Sequence, residues 1–177
     1  VLAALWPTHI ITQAHCEVCA VSLGDVEKAV TELVAADRSD QPPIQVVSLQ
    51  PMCLDDLWAD MARVAVALAG TAGVASLAER AIAPLKARLR AISPRSKPPI
   101  RPTVACIEWT EPLMAAGNWV PELVALAGGD DCFGKAGAHS DWMSWADLAA
   151  ADPDIIVVMP CGYNMAQTQK ATEEMST

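Results

Sequence analysis

PTVACIEWTEPLMAAGNWVPELVALAGG, residues 102–129, changes its hydrophobic period partway along. Thr103 to Ile107 is a short, apolar, partly β-branched run that follows a proline-rich segment, which predicts a strand. At Glu108-Trp109-Thr110-Glu111-Pro112 polar and aromatic residues replace core residues, and Pro112 is expected to bar further ladder pairing. After Gly117 the spacing turns helical, with Val120, Leu123, Val124 and Ala127 on one face and Gly128-Gly129 as the stop. Strand, aromatic loop, then helix is how an open α/β sheet builds a ligand site at the carboxyl end of a strand. Two tryptophans near one such loop are costly to leave in water unless they meet something large and flat.

On either side of this stretch the chain alternates strands and helices. His9–Thr12 reads as a buried strand leaving at Gln13-Ala14-His15-Cys16, and Ser22 with Asp25 forms a capping box for a helix carrying Val26, Ala29, Val30, Leu33 and Val34. Ile44–Leu49 is a second strand. A helix over Leu54–Ala69 follows, with Leu57, Met61, Val64 and Leu68 inward and the poor capping residue Cys53 before it. Val74–Ile92 predicts a long helix with Leu77, Ala81, Leu85 and Leu89 inward, kinked or split at Pro84. SPRSKPPIRP, residues 93–102, is a basic extended linker. Residues 130–141 read as an irregular loop, Ser144 and Asp147 cap a helix over Trp145–Ala151, and Ile155–Val158 is a strand leaving at Met159–Tyr163.

Trp6–Thr12 and Asp152–Val158 echo one another, each a helix end, a proline, a buried strand and a ligand-type loop. The long helix lies between them. The expectation is an α/β fold of two Rossmann-like lobes joined by a bridging helix, with exit loops facing across a cleft. The parts are 1–70 for the N-terminal lobe, 71–101 for bridge and linker, and 102–177 for the C-terminal lobe. The chain opens on Val1 inside a helix end, so a fragment or processed chain is expected.

The 177 residues carry 21 acidic against 12 basic side chains, a formal charge of −9, which argues against nucleic acid as a partner. The apolar run Val64–Ala78 is too short and too interrupted to span a bilayer, so the chain reads as soluble and globular. Six cysteines, one close pair and four singles, are too scattered for a disulfide-built fold, and Cys106 mid-strand is ordinary packing.

His15-Cys16-Glu17-Val18-Cys19 contains C-x-x-C beside a histidine, a pattern for zinc or redox chemistry, but no second such pair follows. The alternative reading is therefore a Cys/His metalloprotein or thiol enzyme using Cys16 and Cys19, and a third is an interaction module that kept a fold without a ligand. Glu108 and Glu111 have the spacing of an acid and base, yet no nucleophile stands beside them, and no catalytic residue or metal ligand is assigned. Trp109, Trp119, Trp142 and Tyr163 fall on exit loops and suggest walls for a large planar ligand, whereas Trp58 and Trp145 lie in helices as packing residues.

Four segments, PTHIITQAHCEVCAVS (7–22), IQVVSLQPMCLDDLWADMARVA (44–65), RPTVACIEWTEPLMAAGNWVPELVALAGG (101–129) and DPDIIVVMPCGYNMAQT (152–168), resemble the cobalamin-binding members of the Fe/B12 (class III) periplasmic binding proteins of ABC transporters. The resemblance implies a corrinoid, haem or siderophore held between two lobes as transported cargo, with no catalytic cofactor, and both lobes incomplete in this chain. By position it implies ligand contacts at Gln13, His15 and Cys16 on the N-terminal side. On the C-terminal side it implies Glu108, Trp109, Met114, Asn118, Trp119 and Tyr163, with His139 and Trp142. It also implies a permease partner, docked through acidic residues such as Asp25 or Glu27, with membrane contact only through that permease. The implied location is periplasmic or cell-envelope, with cytoplasmic as runner-up.

Overall fold

The computed structural model describes residues 5, 7–14, 22–35, 43–69, 74–92 and 100–175. The chain divides into two compact units, Val1–Pro51 with Asp55–Ala83, and Met52–Leu54 with Pro84–Thr177. Both are α/β. No helix among the described residues is long and apolar enough to cross a membrane.

In the first unit β1 (His9–Gln13) and β2 (Gln45–Leu49) pair in parallel, from His9↔Gln45 to Gln13↔Leu49. The intervening α1 (Leu23–Ala35) starts at Ser22, whose hydroxyl accepts the Asp25 N–H at 3.1 Å and donates to the Asp25 carboxylate at 2.7 Å. Val26 is its buried anchor. β1 is not the buried strand expected, for its middle residue Ile11 is exposed and β2 is the strand it pairs with.

α2 (Leu54–Ala69) buries Trp58, as expected, and also Asp60, which Arg63 engages one turn on. Leu68, expected inward, is exposed. α3 (Val74–Ile92) is continuous through Pro84, where a kink or a split was expected, and so is not split there. Both Pro84 and Arg80, whose carbonyl loses its partner there, are exposed, so water satisfies the freed group. Its buried residues are Ala78 and Ile82, while Leu77 and Ala81 point out. Ala78, Ile82, Leu85 and Leu89 follow steps of four, three and four residues and make the straighter stripe; the expected set started about 100° off it.

The second unit is built on β3 (Thr103–Thr110), eight residues long and buried from Val104 to Ile107. β4 (Leu113–Ala115) returns antiparallel along its far end, after a turn containing the cis peptide Glu111-Pro112. β5 (Asp130–Asp131) pairs in parallel at its start, and β6 (Ile155–Val158) in parallel from Val104 to Ile107. Val104 pairs with both β5 and β6, and Ile107 with both β4 and β6, so β4 and β5 share one edge of β3 and β6 has the other.

Side chains alternate across β3. Val104 and Cys106 pack with Ala116 and Val124, under α4 (Val120–Ala127); Ala105 and Ile107 pack with Leu113 and Leu148, under α5 (Trp145–Ala151) and α6 (Met165–Met175). Gly128 ends α4 with φ 92°, the left-handed conformation that glycine adopts freely. A Cβ at Gly129 would lie 2.7 Å from the Val104 side chain, so both glycines act as stop and packing residue rather than as a phosphate cradle.

Three expectations change here. β3 does not end at Glu108 but runs on to Thr110, with its register against β4 shifted between Ile107 and Trp109, because Pro112 falls in the turn beyond the ladder. The loop over 130–141 begins with β5, held by backbone pairing to β3 and by the Arg101–Asp130 ion pair. Trp145 is largely exposed at the first position of α5, whose inward anchor is Leu148.

Candidate functional site

β3 and β6 run parallel, so their carboxyl ends lie at one end of the sheet, with Glu108 and Trp109 closing β3 and Tyr163 in the loop after β6. Met159 N–H donates to Ile107 O at 2.8 Å and Cys161 N–H to Glu108 O at 3.2 Å, which lays the β6 exit loop along the end of β3. Tyr163 is thereby brought to Trp109, with ring centroids 5.6 Å apart and planes at 68°, an edge-to-face pair. The indole N–H donates to the Glu111 carbonyl at 2.9 Å. Neither ring belongs to the buried core.

Beside this pair, α6 closes a groove of about 370 Å³, with Trp109, Glu111 and Tyr163 on one wall and Gln167, Lys170 and Glu174 on the other. The start of α6 is set by Asn164 and Gln167: the Asn164 N–H donates to Gln167 Oε1 at 2.9 Å and the Gln167 N–H to Asn164 Oδ1 at 3.0 Å. That reciprocal cap is written in the sequence as N-x-x-Q, a local signal for the start of α6.

Glu108, one residue before Trp109, has a different neighbour. Ser140 is buried and donates to Glu108 Oε2 at 2.6 Å, while its oxygen accepts the Gly117 N–H at 3.0 Å. Gly117 has no room for a side chain: a Cβ would lie 2.7 Å from backbone atoms of Ala138, His139 and Ser140. The Asn118 N–H donates to Ala138 O at 2.6 Å, and Gly137 N–H returns a bond to Asn118 O at 3.1 Å. Asn118 itself takes φ 56°, which asparagine tolerates better than most side chains. Residues 137–140 are thus knotted onto 117–118 and the end of β3. Ser140, central to the knot, carried no signal in the sequence.

The remaining expected residues surround this framework. Met114 pairs across the ladder with Trp109 and forms an isolated bridge with Trp142, which is 63% exposed. His139 is exposed with its Nδ1 2.9 Å from Ser140 O, and Trp119 is the half-buried residue that opens α4. Gln13 closes β1 in the first unit. His15 and Cys16, like Cys19 of the alternative reading, lie outside the described residues. Among the described residues no group of three His, Cys, Asp or Glu side chains is placed to hold a metal ion.

Two thiols flank the sheet. Burial, with the Asp131 carboxylate nearby, pushes Cys106 up to about 11, and the same two causes raise Cys132. At the opposite end of the sheet, the Thr103 N–H and hydroxyl, each at 2.8 Å, hold the Asp154 carboxyl below its ordinary value.

No protein-family model matches the chain, and no curated protein matches it. Solved structures do. A substrate-binding protein of an ABC transporter from Listeria monocytogenes EGD-e superposes with a TM-score of 0.70 at 14% identity, covering 98% of this chain and 61% of that one. The periplasmic vitamin B12 binding protein BtuF of Vibrio cholerae gives 0.58 at 14% identity, with 98% and 62% covered. A periplasmic haem binding protein from Pseudomonas aeruginosa gives 0.64 at 21%, with 98% and 58% covered. The chain spans about three-fifths of the length of these structures. Over the part it spans, its fold is that of these α/β binding-protein structures, the family that its sequence resembles.

Proposed function

We propose that this chain holds a corrinoid, with cobalamin the expected cargo, and serves as part of a substrate-binding protein that delivers it to an ABC permease. The observation that carries this is the Trp109–Tyr163 pair at the carboxyl ends of two parallel strands, left outside the core with exposed Trp142 close by in the same unit. Rings fixed edge to face and not used as core packing suit the broad apolar area of a macrocycle. Glu108, Met114, Asn118, Trp119 and His139 complete the C-terminal contribution, and Gln13 with His15 and Cys16 supplies the N-terminal one. The cobalt stays in its own chelate, so the protein contributes walls and hydrogen bonds and performs no chemistry.

Exposed Asp25 and Glu27 on α1 are the candidates for permease docking. The proposed location is the periplasm or cell envelope, with membrane contact only through the permease. Equilibrium titration of the full-length protein with cyanocobalamin tests the proposal. Saturable binding at micromolar concentration or below is expected, and no binding at micromolar concentration contradicts it.

A further inference from the structure

Flat metal chelates that share a broad apolar core differ at their rims. A corrinoid presents primary amides, which donate hydrogen bonds; haem presents propionates, which accept them and carry negative charge. The knot at the end of β3 offers acceptors. Ser140, 8% exposed, gives its one hydroxyl proton to Glu108 Oε2 and takes the Gly117 N–H on its oxygen, so the hydroxyl is used up and the carboxylate is held by a charge-assisted bond. Among the described residues no second donor reaches the Glu108 carboxylate. Next to Gly117, Asn118 is 6% exposed and its buried Oδ1 has no hydrogen-bond partner among the described residues. Glu111 and Asp141, close by in sequence, are exposed anions and Lys135 is an exposed cation in the 130–141 loop, while Lys170 in the adjoining groove is paired with Glu174 at 3.7 Å.

We infer that Glu108, clamped by Ser140, is a specificity-determining residue that accepts a hydrogen bond from a peripheral amide of the chelate and repels a peripheral carboxylate. The inference rests on the corrinoid reading above. An amide N–H brings a donor to a half-buried anion that has one donor already and room for another. A carboxylate at the same place sets two anions together with no proton or cation between them. In a site partly withdrawn from water, that repulsion is stronger than at an open surface, and it acts against one class of ligand only.

Two corrins with different rims test this in the full-length protein: dicyanocobinamide, which carries amides, and dicyanocobyrinic acid, which carries carboxylates in their place. The wild-type protein is expected to bind the amide corrin at least about tenfold more tightly, and Glu108→Gln, which removes the charge at nearly constant size, is expected to narrow that ratio by about tenfold. Glu108→Asp keeps the anion and is expected to keep the preference. Asp141→Asn removes a charge beside Ser140 and is expected to leave the ratio at its wild-type value. A ratio unchanged in Glu108→Gln while dicyanocobinamide still binds overturns the assignment. So does a loss in Glu108→Asp as large as in the glutamine variant, or an equal narrowing in Asp141→Asn, which would mark a diffuse field rather than one residue. Failure of dicyanocobinamide to bind the wild-type protein overturns the corrinoid reading itself, a result distinct from the other three.

Discussion

β3 and β6 lie side by side, are paired over four residues, and are almost equally apolar, yet they live in different surroundings. Ile107 on β3 is fully buried, whereas Ile156 on β6 is 49% exposed. β3 has partners on both edges and helices over both faces; β6 has β3 on one edge, and its isoleucines are in neither core cluster. An apolar run thus establishes that a strand forms, while its rank in the sheet establishes how much of it leaves water.

Stability separates the two strands most strongly. Ile107→Ala empties a closed site and is expected to cost about 2–5 kcal/mol, whereas Ile156→Ala removes atoms already half in water and is expected to cost less than about 1 kcal/mol. Urea unfolding of both variants checks this, and equal costs would mean that β6 is covered in solution.

The next effect is at the strand ends, where Trp109 and Tyr163 meet. Trp109→Ala is expected to weaken cyanocobalamin binding by about 2 kcal/mol or more, as for a buried aromatic anchor, with little change in unfolding midpoint. A variant that loses stability and keeps affinity would make Trp109 a packing residue. Affinity and melting measured on one preparation distinguish the two.

A smaller effect concerns α4, the helix that covers one face of β3. Its Glu122 carboxylate accepts the Leu54 N–H at 2.7 Å, within the second unit, and so caps one of the first amides of α2. Glu122→Ala is expected to cost about 1 kcal/mol and to speed hydrogen exchange at the first amides of α2. Exchange unchanged at Leu54 would rule the cap out.

The smallest effect is at the strand starts, where Asp154 before β6 binds Thr103 of β3. Its pKa is lowered on folding, so its contribution is complete above the ordinary value of 3.8 and is lost as pH falls through the lower folded value. Asp154→Asn is expected to flatten that part of the acid limb. Urea midpoints at neutral pH and well below pH 3.8 show whether it does.

How much of this was legible in the sequence follows from how local each cause is. The Ser144–Asp147 box is closed within four residues and sits where its spacing put it, with Asp147 held below its ordinary pKa by the Ser144 bonds. The Gly128 stop and the β-branched centre of β3 are equally local. β4 and β5 were not legible, since three and two residues make no pattern and their partners are fixed by the sheet already formed. The α6 cap is equally local, closed between Asn164 and Gln167. In the site, the aromatics announced themselves through their cost in water, and Glu108 came from resemblance. Ser140 and Glu122 act across 32 and 68 residues of chain, a separation that no local spacing encodes.

A crystal structure of the full-length protein with cyanocobalamin is the most direct test. The corrin is expected to lie in van der Waals contact with Trp109 and Tyr163, with a peripheral amide donating to Glu108. A corrin bound elsewhere, with the Trp109–Tyr163 edge still open to water, would contradict the account.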